Sequence, residues 1–215
     1  SRIGMKFLKK YIFLLLLIFY QPIKSEITLF DSGLFKTLTS HVYLKATFNQ
    51  QTLSQGILRQ VDGKIFASRE GKFRIEYLEP LNEVFISKGN QLIKYDPLLE
   101  QLEIFPASYL LSQTIVNLIS LDLYSLEKHF LIISCNETTT KSSCKIIPRN
   151  KESFIKSAEI YLQKNLLNKI IFIDNFEQQV IISFKDLSHN FLEDAIFEFE
   201  APIGTDVIYH SKDLQ

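Results

Sequence analysis

Polar and apolar residues alternate with a period of two along most of this chain. Between Lys64 and Gln101 the alternation falls into four short segments. Glu70-Gly71 breaks the first pair, Glu79-Pro80 the second and Lys88-Gly89-Asn90 the third. Glycine supplies the positive φ of tight turns, and proline stops a central strand. Phe73, Ile75 and Tyr77 share one parity, while Lys72, Arg74 and Glu76 share the other. Such a pattern predicts an antiparallel meander with one apolar face and one wet face.

The same rhythm extends on both sides. Val42, Leu44, Ala46 and Phe48 alternate with Tyr43, Lys45, Thr47 and Asn49. Ile57–Val61 and Ile65–Ser68 read as a hairpin about Asp62-Gly63, a type I′ turn pair. Further strands are expected over 130–133 with 145–147, 153–163, 168–173 and 178–184. Ala195, Phe197 and Phe199 mark a last one, ended by Pro202-Ile203-Gly204. The total is about eleven strands, enough to curl into a barrel or a flattened half-barrel.

Two stretches follow a helical period. Leu29, Phe30, Leu34, Phe35 and Leu38 form one stripe, with Asp31-Ser32 as an alternative cap for a shorter helix from Gly33. From Ser108 to Lys128 the apolar residues lie nearly all round the wheel. That pattern fits either a core helix or a lid with one face on the sheet and one toward a ligand. The fold expected is therefore α+β and mainly β, an open antiparallel barrel covered by short helices.

The first 25 residues read differently. Lys6, Lys9 and Lys10 precede an apolar run from Tyr11 to Tyr20, and Ser25 suits a cleavage site. This is the pattern of a secretory leader, and a membrane-spanning helix would need roughly 20 apolar residues. Met5 is the expected natural start, with residues 1–4 outside it. No cysteine follows the apolar run, so no lipid anchor is expected. Residues 26–215 are then a single soluble domain, exported to the periplasm.

Removing the leader changes the charge balance. It holds five of the 24 Lys+Arg and none of the 24 Asp+Glu, which leaves 19 basic residues and a net charge of −5. A deficit of basic charge speaks against nucleic acid and against adhesion to anionic lipid. Fifteen phenylalanines remain and need a core or a ligand. Cys135 and Cys144 flank the polar loop of one hairpin, and in an exported chain they are expected to pair. The histidines (His41, His129, His189, His210) are scattered, without metal-ligand spacing, and no hydrolase or phosphate-binding motif occurs. Neither enzyme chemistry, a metal nor a cofactor is expected.

Arg69-x-Gly71-x-Phe73-Arg74-x-x-Tyr77-x-x-Pro80, the Gly89 turn, and Tyr95-Asp96-x-x-Leu99-x-Gln101 resemble the LolA family of periplasmic outer-membrane lipoprotein carriers. Phe197-x-Phe199-x-x-Pro202-x-Gly204-x-Asp206-Val207-Ile208 resembles that family's C-terminal signature. The resemblance implies a half-barrel whose cavity shields acyl chains beneath helices. It favours the lid for Ser108–Lys128. It implies triacylated lipoproteins as cargo, an inner-membrane Lol ABC transporter as donor and a LolB-like receptor as acceptor, with the carrier a monomer. Residues expected at the cavity are Phe48, Phe66, Phe73, Ile75, Tyr77, Ile86, Tyr95, Leu110, Leu111, Ile115, Ile119, Phe197 and Phe199.

Arg69 has two readings on parity alone. If the strand runs through, it shares the apolar face with Phe73; if Glu70-Gly71 is a two-residue turn, it faces solvent. The resemblance implies a latch that hydrogen-bonds the lid over an empty cavity. Glu70 in place of proline and Ile75 in place of an aromatic depart from the family pattern. Alternatives in other classes are a periplasmic lipid or lipoprotein sensor, a LolB-like receptor and a small-molecule hydrolase.

Overall fold

The computed structural model describes residues 28–88, 91–106, 114–151 and 153–210. The leader, Gly89, Leu110, Leu111 and the side chain of Ile115 lie outside the described residues. Twelve strands form one sheet: β1 (Tyr43–Ser54), β2 (Ile57–Ser68), β3 (Lys72–Tyr77), β4 (Val84–Lys88), β5 (Gln91–Asp96) and β6 (Gln101–Pro106). They continue with β7 (Phe130–Glu137), β8 (Lys141–Pro148), β9 (Ile155–Gln163), β10 (Leu166–Asp174), β11 (Gln179–Ser188) and β12 (Asp206–Tyr209). The order across the sheet is β12-β6-β5-β4-β3-β2-β1-β11-β10-β9-β8-β7. Neighbours are antiparallel except β12, which runs parallel to β6. The two ends of this order, β12 and β7, do not meet, so the barrel is open.

Among the described residues three short helices sit against the concave face: α1 (Gly33–Leu38), α2 (Thr114–Ser120) and α3 (Leu123–His129). Ser32 caps α1 by accepting a hydrogen bond from the Phe35 amide. The stripe predicted over 29–38 is split there, with Leu29–Asp31 forming a separate 3-10 turn. The long apolar stretch 108–128 is likewise split, because the Asp122 carboxylate accepts from the Ser125 amide and starts a new helix. Leu34, Phe35, Leu118, Ile119 and Leu126 of these helices share one core with Leu44, Ala46, Phe48, Ile65, Ile146, Ile160 and Ile170 of the sheet.

Two expected elements are different. Asp62-Gly63 does not turn; β2 runs straight through it and pairs with β1 along its whole length. Gly63 faces the core, where Phe48 crosses directly over it. A side chain at residue 63 would meet the Phe48 ring and stand 2.8 Å from the Glu76 carbonyl. This glycine therefore serves close approach rather than a turn. Gly63→Ala is expected to cost about 1–3 kcal/mol, since overpacking displaces ring or backbone. Thermal denaturation checks this; an unchanged midpoint would show that Phe48 yields freely.

The second difference is at residues 195–199. Asp194–Phe197 is a 3-10 turn in a strap that crosses the convex face, and β12 follows only at Asp206. Arg74 Nη1 donates to the carbonyls of Ile196 and Glu198 at 3.4 and 3.1 Å, and Lys72 pairs with Asp194 at 2.9 Å. Alternating aromatics here bury one residue, Phe197, against the sheet without any ladder partner.

Candidate functional site

The concave face is not filled evenly. On the β7–β11 side the helices α1 and α3 leave Phe35, Phe130, Ile146, Ile160 and Ile170 fully buried. On the β3–β6 side a cavity of about 200 Å³ remains, lined by Phe73, Ile75, Tyr77, Phe85, Leu92, Lys94, Phe105 and Val116. Register places these residues together. Phe73 and Ile75 stand beside Ser87 and Phe85, Phe85 beside Lys94, and Leu92 beside Phe105. Val116 of α2 supplies the roof.

Polar groups mark one wall. Lys94 Nζ lies 3.3 Å from Glu83 and 3.5 Å from Glu103, and 5.9 Å from the Phe85 ring centre. Burial alone would lower its pKa, but the two carboxylates outweigh that and hold it above the ordinary lysine value. Tyr77 donates its hydroxyl to Gln50 at 3.1 Å. Burial and then Glu83 push its pKa up to about 12, so it stays neutral.

Arg69 anchors the roof. Its turn is three residues, Arg69-Glu70-Gly71, closed by the Ser68–Lys72 pair with Gly71 at φ +82°. Arg69 thus keeps the inward parity of Ile65 and Ala67, and its guanidinium reaches the helices. Nη1 donates to the carbonyls of Leu118 and Leu121 at 3.0 and 2.9 Å, and Nη2 donates to the Leu38 carbonyl. The Gly71 amide donates to the Ser120 carbonyl at 3.1 Å. The last carbonyls of a helix lack partners within it and carry negative partial charge. A cation and an amide from one turn satisfy them here. Burial lowers the Arg69 pKa to about 10, with Asp122 opposing, so the group remains cationic at neutral pH. Glu70 does not compete for Arg69; it pairs with Lys72 at 3.0 Å.

The family model for the outer membrane lipoprotein carrier protein LolA matches residues 40–200. The chain belongs to the LolA family. An outer-membrane lipoprotein carrier protein from Chromohalobacter salexigens is 29% identical over 180 residues, covering 82% of this chain and 84% of that one. One from Pseudomonas aeruginosa is 31% identical over 168 residues, covering 77% and 80%. A solved LolA superfamily protein from Nitrosomonas europaea superposes with a TM-score of 0.53 at 10% identity, covering 80% of this chain and 98% of that one. An uncharacterized conserved protein from Thermus thermophilus gives 0.51 at 14%, covering 82% and 95%. The LolA-type open sheet is thus found in this chain in both sequence and shape.

Of the residues that the LolA resemblance nominated, Phe73, Ile75 and Tyr77 line the cavity. Phe48 stacks edge-on against Tyr77 at 5.6 Å, and Ile119 is a buried residue of α2 itself. Five others lie on the convex side. Phe66 packs under Lys45, and Ile86 pairs with Arg74 and Ile93, facing away from the cavity. Tyr95 meets Phe199 at 5.0 Å, and Phe197 is buried in the strap. Phe85, Leu92, Lys94, Phe105 and Val116 were not anticipated. The run Val84-Phe85-Ile86 is apolar throughout, so parity cannot choose its inner residue; counting back from Tyr77 across the turn would have selected Phe85.

Cys135 and Cys144 stand opposite each other in β7 and β8 and form a disulfide. Closing so short a loop contributes about 2–3 kcal/mol by chain entropy. The histidines are less scattered than in sequence, since His41 and His189 stack at 3.8 Å. Burial lowers the His189 pKa, with the Tyr43 carbonyl opposing and His41 and Arg69 adding to the fall. Burial, then Lys128, also lowers that of His129. Both groups bind protons more weakly in the folded state than unfolded. Their contribution is complete above the usual histidine pKa of about 6.5 and is lost as pH falls below it. Denaturant titrations at pH 7.5 and 5 are expected to show lower stability at 5; equal midpoints would remove these histidines from the balance.

Proposed function

We propose that this chain is a periplasmic carrier that binds the acyl chains of lipoproteins released from the inner membrane. It hands them to an outer-membrane receptor of LolB type. The observation that carries the reading is the apolar cavity under α2, a roof fastened by the guanidinium of Arg69. Each methylene withdrawn from water gains about 0.8 kcal/mol, so one long acyl chain exposed in the periplasm costs on the order of 10 kcal/mol. The family and the names of its relatives support the same cargo.

The cavity volume says how loading must work. Pockets for drug-sized ligands hold about 300–1,000 Å³, and this one holds about 200 Å³. A two- or three-chain cargo requires α2 to lift, which breaks the Arg69 bonds. Loading is therefore opposed by closure, and closure over the emptied cavity favours release. An inner-membrane Lol ABC transporter supplies the energy for loading, and the carrier acts as a monomer. Residues 1–25 direct export and are removed.

The reading is tested with purified protein and a triacylated lipopeptide competing against an environment-sensitive hydrophobic dye. The lipopeptide is expected to displace the dye and to be recovered on the protein after gel filtration. A peptide of the same sequence without acyl chains should do neither. Equal behaviour of the two peptides would sink the carrier reading.

A further inference from the structure

Antiparallel pairing sends the β1–β2, β3–β4, β5–β6 and β10–β11 turns to one end of the sheet, and β12 begins at that end beside Gln101. Each of these turns raises an apolar side chain into solvent. Ile57 and Leu58 are 59% and 60% exposed although they are consecutive, so both faces of that hairpin tip project beyond the body. Leu98 and Leu99 are 73% and 67% exposed on the next tip but one, with Leu78 between them and the hairpin. Ile203 is wholly exposed just before β12, and Phe176 stands at the far side on the β10–β11 turn. The opposite end carries the Arg69 turn that fastens α2.

We propose that this crest of turn tips is a bilayer-docking edge, which seats the protein end-on upon a zwitterionic lipid surface. Three features favour lipid over a protein partner. Strands are about 4.8 Å apart, so tips spread over nine strands trace an arc of roughly 40 Å. A protein would need a matching curved trough, whereas an interface of acyl chains and headgroups imposes no shape. The side chains stand singly or in adjacent pairs on separate tips, rather than packed into one patch. Finally, Glu79 and Glu100 are exposed on the same tips, as is Arg59. Carboxylates complement the ammonium groups of choline or ethanolamine heads and are repelled by anionic lipid. Among the described residues no helix is long and apolar enough to cross a membrane.

This edge is separate from the cavity, so the two can fail independently. The test uses the processed protein recovered from the periplasm of expressing cells, sedimented with phosphatidylcholine–phosphatidylethanolamine vesicles. A variant with Ile57→Ser, Leu58→Ser, Leu98→Ser and Leu99→Ser, prepared identically, cancels any contribution of the N-terminal segment. The wild type is expected to partition onto vesicles at least about tenfold more than the variant, a difference of about 1.4 kcal/mol. Replacing a third of the lipid by phosphatidylglycerol is expected to weaken wild-type binding. No wild-type binding, equal binding by the variant, or stronger binding to anionic vesicles would each overturn the docking edge. So would loss of a protein partner by the variant without any vesicle binding. Dye displacement by lipopeptide is measured on the same variant; its loss in both proteins, with vesicle binding intact, would instead sink the carrier reading alone.

Discussion

Arg69→Leu is expected to raise the affinity for a hydrophobic probe while slowing transfer of cargo to an acceptor. The guanidinium donates to three carbonyls, those of Leu38, Leu118 and Leu121, which belong to two separate helical segments and the link after α2. Hydrogen bonds from a charged donor contribute about 1.5–3 kcal/mol each before the cost of burying it. Burial depresses the Arg69 pKa, so part of that gain is offset and the closed state is held by a modest margin. Leucine keeps the apolar stem but leaves the end of α2 with unsatisfied carbonyls. The open state gains population and probe enters more readily. Release suffers because refastening no longer expels the ligand. A reconstituted donor–acceptor assay decides this: transfer at the wild-type rate would take Arg69 out of the mechanism. Arg69→Lys is a useful companion, since one ammonium cannot reach three carbonyls set around a planar fork.

Val116→Trp is expected to weaken acyl-probe binding at least about tenfold, or 1.4 kcal/mol. Val116 faces the cavity from α2, opposite Phe73 and Ile75. An indole there occupies much of a space of about 200 Å³, yet it enters a void and not a filled core. Stability is accordingly expected to change by less than about 1.5 kcal/mol. The chain has no native tryptophan, so the new indole also reports its own surroundings. Blue-shifted emission without ligand, and little change on adding probe, would fit an occluded cavity. Full probe binding with a large emission shift would mean that the chains lodge elsewhere on the sheet.

Much of this was legible in the residue pattern, and the failures have physical causes. Strands β1, β3 and β9–β11 announce themselves because one face is apolar and the other polar, so period two is visible. β4 carries apolar residues on both faces, since its outer face is covered by the C-terminal strap; parity is then silent, and Ile86 and Phe85 could not be told apart. Tyr95 and Phe199 were drawn to the cavity by their place in the LolA signature, but they meet each other on the convex side. Asp62-Gly63 carries a turn signal that β1 overrides by pairing with β2 through twelve residues. Arg69 showed the widest gap between local and tertiary information. Its three-residue turn preserves inward parity, and its three acceptors come from residues 31 to 52 positions away.

The uneven filling of the concave face has a mechanical consequence. Where α1, α3 and the Cys135–Cys144 bridge pack against β7–β11, the molecule is a stiff backrest that ligand entry cannot deform cheaply. Compliance is left to the β3–β6 wall, which the strap braces from outside, and to α2 above it. Strain from widening the cavity is thereby steered toward the turn whose Arg69 guanidinium and Gly71 amide together hold the end of α2, so that those bonds are the first to feel it.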